Sequence, residues 1–201
     1  MTSDTIAADG LRELSEIARK VADDLGEDLE AVSKLVAATL AAGGRLFFCG
    51  NGGSAAEAQH LAAEYVVRFG RDRAAFPAVA LTTDTSVLTA AGNDVGFHAV
   101  FSRQVEALAR EGDLLFLLST SGESENLLRA AAVARGAGVT TVAFLARGGG
   151  RLAGVVDRGL VVPTASTPRA QEVHLAMGHI VCGRVEEELS RKETDANSPP
   201  R

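Results

Sequence analysis

The chain has 201 residues, of which 46% are hydrophobic and 23% charged, and its formal net charge is −6. That length can bury a full core in one domain, and no apolar run reaches the roughly 18 residues that a membrane span needs. An acidic balance with only 4% aromatic residues lacks the basic stripe and stacking platform of a nucleic-acid binder.

Met1-Thr-Ser-Asp has none of the basic-then-apolar pattern of a secretory signal. Cys49 and Cys182, each inside an apolar stretch, read as buried free thiols of a reducing compartment rather than a disulfide framework. The expected location is the cytoplasm.

Two helical segments open the chain. Leu11, Leu14, Ile17, Ala18 and Val21 recur at helical spacing, as do Leu29, Val32, Leu35, Val36 and Leu40, and Gly43-Gly44 closes the second segment. From Arg45 short apolar runs alternate with amphipathic stretches. The runs are Leu46-Phe-Phe-Cys, Ala78-Val-Ala-Leu, Leu114-Leu-Phe-Leu-Leu, Val139-Thr-Thr-Val-Ala-Phe-Leu and, as an expected edge strand, Gly159-Leu-Val-Val. Continuous apolar strands separated by helices predict an α/β fold with a parallel sheet covered on both faces. The end of the chain, Ser190 to Arg201 with its Asn-Ser-Pro-Pro, reads as a disordered tail.

Ligands of such sheets bind beyond the carboxyl ends of the strands, which directs attention to two loops. Gly50-Asn-Gly-Gly-Ser54 leads into a helix expected to start near Ser54, whose side chain would cap it while the amides face an anion. Ser119-Thr-Ser-Gly-Glu-Ser124 offers four hydroxyls and free helix-terminal amides in six residues. Each loop alone could be a simple turn or cap. Neither has the spacing of a Walker loop or a dinucleotide fingerprint, which disfavours nucleotides.

The helix after the first loop places His60 and Glu64 four apart on one face. Such a pair serves as metal ligands or as a surface ion pair, and the residues alone favour the surface pair. The last helix carries Gln171, His174 and His179. His174 reads as packed or interfacial, His98 as a loop or helix-start residue, and Glu57 as a surface residue.

In one order and with compatible spacing, Gly50-Asn-Gly-Gly-Ser54, His60, Glu64, Ala91-Gly-Asn-Asp94, Ser119-Thr-Ser-Gly-Glu-Ser124, Arg169-Ala-Gln-Glu-Val-His174 and His179 resemble the phosphoheptose isomerases of the sugar isomerase (SIS) class. The resemblance runs from the N-terminal helices to about Leu189. It implies one SIS domain over 1–189, with N-terminal helices in 1–44, an open parallel sheet of about five strands within 45–189 and a tail over 190–201. It also implies an isomerase that converts sedoheptulose 7-phosphate to D-glycero-D-manno-heptose 7-phosphate, and a homotetramer with sites between subunits.

By the same resemblance His60, Glu64, Gln171 and His179 match zinc ligands, one ion per subunit, and Glu64 with His179 match the acid–base pair. Asn51, Gly52, Gly53, Ser54, Glu64, Asn93, Asp94, Ser119, Thr120, Ser121, Ser124 and Gln171 match substrate-binding positions. The chemistry agrees with these types, since aldose–ketose exchange needs a carboxylate or imidazole to carry a proton and gains from a cation near the oxygens.

Gln171 and His179 are eight residues apart, a rise of ~12 Å on a straight helix. Both therefore reach one ion only if the helix starts irregularly at Gln171 or the ligands come from different subunits. Ala55, Ala56 and Pro168 depart from the family pattern and leave contacts to the distal hydroxyls of the sugar open. Two other readings stand beside the heptose one. One is a non-catalytic SIS protein like the replication-initiator-associating protein, which resembles this family but is depleted at the positions of Glu64 and His179. The other is an isomerase of a different ketose phosphate.

Overall fold

The computed structural model describes residues 3–196, with side chains from residue 8 to residue 191. In chain order the elements are α1 (Ser3–Ala41), β1 (Leu46–Gly50), α2 (Gly53–Val66), β2 (Ala78–Ala80), α3 (Thr85–Asp94), α4 (Ser102–Leu108), β3 (Leu114–Ser119), α5 (Glu125–Gly136), β4 (Thr140–Leu145), α6 (Gly150–Ala153), β5 (Arg158–Val161) and α7 (Thr167–Ala196). All five strands run parallel, in the order β2-β1-β3-β4-β5.

Side chains alternate across a strand, so the apolar runs feed two cores. Leu46 and Phe48 of β1, Leu114, Phe116 and Leu118 of β3 and Val142 and Phe144 of β4 face α1, α2 and α7. Phe47, Cys49, Leu115, Leu117, Ala143 and Leu145 face α4, α5 and α6. The first layer is stacked at its centre, with the Phe48 and Phe116 rings 4.9 Å apart and Phe48 against Tyr65 at 5.9 Å. Each fully buried ring of this kind contributes on the order of 1.5–3 kcal/mol. Both cysteines are buried free thiols.

Two expectations change at the ends of the chain. The N-terminal segments form one continuous 39-residue helix instead of two. A glycine inside a helix costs ~1 kcal/mol, and Gly26 lies between the two expected segments. The apolar stripe of Ile17, Val21, Leu25, Leu29, Val32 and Val36 nevertheless packs without interruption into the core, and that burial outweighs the local cost. At the other end α7 runs to Ala196, so residues 190–196 of the expected tail are helical. Leu189 packs against the core, and Arg191 pairs with Glu187 one turn back. Residues 197–201 lie outside the described part of the chain. No described helix is long and apolar enough to cross a membrane.

The strand order reverses between β1 and β3, and this switch point is where open α/β sheets bind ligands. The loops that follow these two strands are the Gly50–Ser54 and Ser119–Ser124 segments.

Candidate active site

The two loops are tied together by a pair of side-chain amides. Asn51 Nδ2 donates to Asn126 Oδ1 at 3.0 Å, and Asn126 Nδ2 donates back to Asn51 Oδ1 at 2.8 Å. Asn126 is buried in the first turn of α5, so it fixes Asn51, and with it the first loop, against the second.

Ser54 does not cap α2. The capping position is Gly52, at φ 58°, ψ −121°, a conformation that costs a glycine little. The helix begins one residue before Ser54, which lies buried in its first turn. A Cβ at Gly53 would meet the side-chain amide of Gln171, which therefore lies close against the first loop.

The second loop keeps its hydroxyls close to its own amides. Ser119 Oγ accepts from Gly122 N at 3.0 Å and Ser121 Oγ from Glu123 N at 3.2 Å, while Ser124 stands at the N-terminal cap of α5 without a capping bond from its side chain. Thr120 and Ser121 are half-buried. Gly122 has φ +67°, and a Cβ there would run into the carbonyl of Gly149. Arg151 takes the Glu123 carboxylate through its amide and Nε at 3.0 and 2.9 Å. Those hydrogen bonds hold the Glu123 carboxyl below its ordinary range and turn the loop's negative charge outward.

His60 and Glu64 on α2 meet His179 on α7. The His60 and His179 Nε2 atoms are 2.7 Å apart, Glu64 Oε1 is 3.2 Å from His60 Nε2, and one ligand atom from each lies within 4.8 Å of the others. The surface-pair reading of His60 and Glu64 omits this third partner, 119 residues away in sequence. Two imidazoles and a carboxylate are a donor set that suits zinc. Tetrahedral bonds of about 2.0–2.1 Å place two nitrogens about 3.3 Å apart, so a small opening of the two rings would admit such an ion.

Gln171 lies on the same helix as His179, but α7 starts at Thr167 and is already regular there. The expected irregular start at Gln171 is therefore absent. Pro168 occupies the first turn of α7, where its missing N–H costs nothing. Arg169 beside it binds Glu13 of α1 and Glu172, so this corner serves helix docking.

Asn93 and Asp94 stand exposed at the end of α3, hydrogen-bonded to each other at 2.7 Å. That helix follows β2 and buries none of its own side chains. His174 is a core residue, as expected, with Nε2 bonded to the Leu145 carbonyl at 3.0 Å and burial driving its pKa down to about 4.

Glu57 is buried, not on the surface. Its Oε2 has no hydrogen-bond partner, and burial pushes its pKa up to about 7 against a smaller lowering by the Ser54 hydroxyl. A carboxyl whose folded pKa is raised holds its proton in the folded chain and loses it in the unfolded one, so stability falls as pH rises from about 4.5 to about 7. Glu57→Gln should therefore stabilise the protein at pH 8 by about 1–2 kcal/mol, with the gain shrinking below pH 7 and vanishing near pH 4.5. Thermal melts across that range check it, and a pH-independent difference would contradict it.

Sequence reasoning missed Asn126 and the residues that brace the cluster. Phe69 packs on the His179 ring at 5.3 Å. Buried Glu186 accepts from the amides of Phe69, Gly70 and Arg71 and from Arg73 Nε. No local signal marks these residues, because the partners named here are 75 to 117 positions away.

Comparison with known proteins follows the same lines. The SIS domain family matches residues 11–146. A phosphoheptose isomerase of Rhodospirillum rubrum is 49% identical over 183 residues, covering 91% of this chain and 93% of its own. One of Geobacter metallireducens is 52% identical over 179 residues, covering 89% and 95%. Among solved structures, a phosphoheptose isomerase of Neisseria gonorrhoeae superposes with a TM-score of 0.87 at 40% identity, covering 92% of this chain and all of that one. One of Francisella tularensis gives 0.90 at 32%, covering 93% and all. With a switch-point pair of loops, a His–Glu–His cluster beside them and these relatives along nearly its whole length, the chain belongs to the phosphoheptose isomerase family of SIS-domain proteins.

Proposed function

We propose that this protein is an isomerase that converts sedoheptulose 7-phosphate to D-glycero-D-manno-heptose 7-phosphate, supplying heptose biosynthesis in the cytoplasm. The observation that carries the reading is the convergence of His60, Glu64 and His179 from two helices, on the helix that also begins at the first phosphate-type loop. Relatives named for this activity support it.

The phosphate would sit at the switch point, among the hydroxyls of Ser119, Thr120, Ser121 and Ser124 and the first amides of α5, with Asn51, Gly52, Gly53 and Ser54 opposite. Helix N-termini and oriented amides favour such an anion without a lysine. From Gly53 to His60 is seven residues, about 10 Å along α2. A phosphate held at the loops therefore leaves the carbonyl of a long sugar chain near the cluster, which favours a heptose over a triose.

His60, Glu64 and His179, completed by Gln171 of a neighbouring subunit, would hold one zinc ion per subunit in a homotetramer whose sites lie between subunits. When bound, the ion supplies a positive charge for the oxygens at C1 and C2. The chain's own groups move the protons. Glu64 takes the proton from C1 of the ketose and returns it to C2, and His179 gives a proton to O2 and accepts the one leaving O1. A carboxylate has two oxygens, so Glu64 can face the ion with one and the substrate with the other. Residues 1–189 act as a single SIS domain in this reading.

A non-catalytic SIS protein has no need of Glu64 and His179, and both are present and in contact with one cluster. The test is a turnover screen of seven-, six-, five- and three-carbon ketose phosphates on zinc-loaded protein. The seven-carbon substrate should give the highest kcat/KM by at least tenfold. Preference for a shorter ketose would reassign the substrate, and no turnover of any would leave a binding protein.

A further inference from the structure

The rim of the cluster contains a buried ion pair that the proton-transfer chemistry does not use. Glu186 lies on α7 two turns beyond His179, and its side chain is 3% exposed. It accepts from Phe69 N at 3.0 Å, Gly70 N at 2.9 Å, Arg71 N at 3.2 Å and Arg73 Nε at 2.8 Å. Arg73 in turn donates to the carbonyls of Glu64 at 2.7 Å and Tyr65 at 2.9 Å, closing the last turn of α2, and its guanidinium lies over the Phe76 ring.

The result is a segment gripped at three successive amides, with one aromatic ring aimed at the site. Phe69 packs against the His179 ring at 5.3 Å and 31°, and the His60 ring is 5.0 Å from His179 on another side. Phe69 also fills the space left by Gly183, where a Cβ would come within 3.3 Å of its ring. The ring itself is 38% exposed, so core packing does not explain why its backbone is held by a buried carboxylate.

We propose that Glu186 and Phe69 are positioning residues for His179, and Arg73 one for Glu64, so that the imidazole and the carboxylate are held ready before any ligand arrives. Groups that orient metal or proton-transfer side chains from behind are worth about 10–100-fold in metal affinity or activity when removed. This inference rests on the metal-assisted isomerase reading above and deepens it.

Zinc affinity by chelator competition and steady-state kinetics on the full chain test it together. Phe69→Leu should weaken zinc binding and lower kcat by about tenfold each, with KM within twofold of wild type and the melting temperature unchanged. Gly183→Ala, which displaces Phe69 while improving helix propensity, should lower both in the same direction without loss of stability. Glu186→Gln should match Phe69→Leu and add nothing further in a Phe69→Leu background. If Glu186→Gln fails to fold, the two other variants still decide. Wild-type zinc affinity and kcat in both Phe69→Leu and Gly183→Ala would overturn the clamp alone. Wild-type protein with neither zinc binding nor turnover would overturn the clamp and the isomerase reading together.

Discussion

Glu64→Gln is expected to lower kcat by at least ~10³-fold while the fold, the melting temperature and the binding of phosphate are kept. The substitution keeps the shape of the side chain and removes the one atom set that can take a carbon-bound proton. General acid–base groups contribute typically 10²–10⁴-fold, and the same carboxylate is also one of the groups proposed to hold the ion, so the upper half of that range is expected. The fold is insulated because Glu64 contributes its main-chain carbonyl, not its carboxylate, to the Arg73 brace, and its side chain is still 21% exposed. Kinetics with saturating substrate and calorimetric titration with inorganic phosphate read the two halves of the prediction separately. Near-normal turnover would show that another group is the base.

His60→Ala carries the second large effect. His60 is more exposed than either partner, at 46%, so its removal leaves no cavity in the core and should change the melting temperature little. It does remove one of two imidazole donors. Zinc affinity should fall by more than the ~10–100-fold that loss of a merely orienting partner costs. Turnover should fall with it and recover in part at excess zinc. Parallel titrations of activity and bound metal check this. Loss of activity with full zinc occupancy would make His60 a substrate contact, and loss of both without rescue would make it a structural residue.

Much of this architecture was legible in the chain because the physics behind it is local. Strands buried on both faces read as unbroken apolar runs, and Leu46-Phe-Phe-Cys and Leu114-Leu-Phe-Leu-Leu fit that pattern between amphipathic stretches. The loops after them were marked by glycine and hydroxyl residues for equally local reasons. The His60–Glu64 spacing announced a shared helical face. What the chain could not announce were the contacts that close over long separations.

The N-terminal apolar positions read as two helices because the packing that joins them lies on a distant helix. Glu57 reads as surface because nothing nearby says that it points inward. Ser54 reads as a cap because a serine after glycines usually is one, yet the preceding glycines let the helix start earlier. His179 joins His60 only once the sheet has brought α7 over α2. Glu186 reads as one more acidic residue on an amphipathic helix until the loop of Phe69 to Arg73 folds onto it.

The resemblance to phosphoheptose isomerases supplied the link between the two helices that spacing alone did not. The structure supplies the distances. It also places the Gln171 amide close to Gly53, on the same regular helix as His179.

The central claim is that Glu64 carries a proton between neighbouring carbons of a phosphorylated ketose. It is tested most directly by turning over sedoheptulose 7-phosphate in deuterium oxide and reading the aldose product by proton NMR. Proton transfer through Glu64 predicts deuterium at C2 in the fraction of product whose carboxyl proton exchanges with solvent before its return, and no product formed by Glu64→Gln in the same time. A product that keeps the substrate's own hydrogen at C2 in every molecule, together with unchanged turnover by Glu64→Gln, would contradict it and assign the hydrogen movement to a direct shift between the carbons.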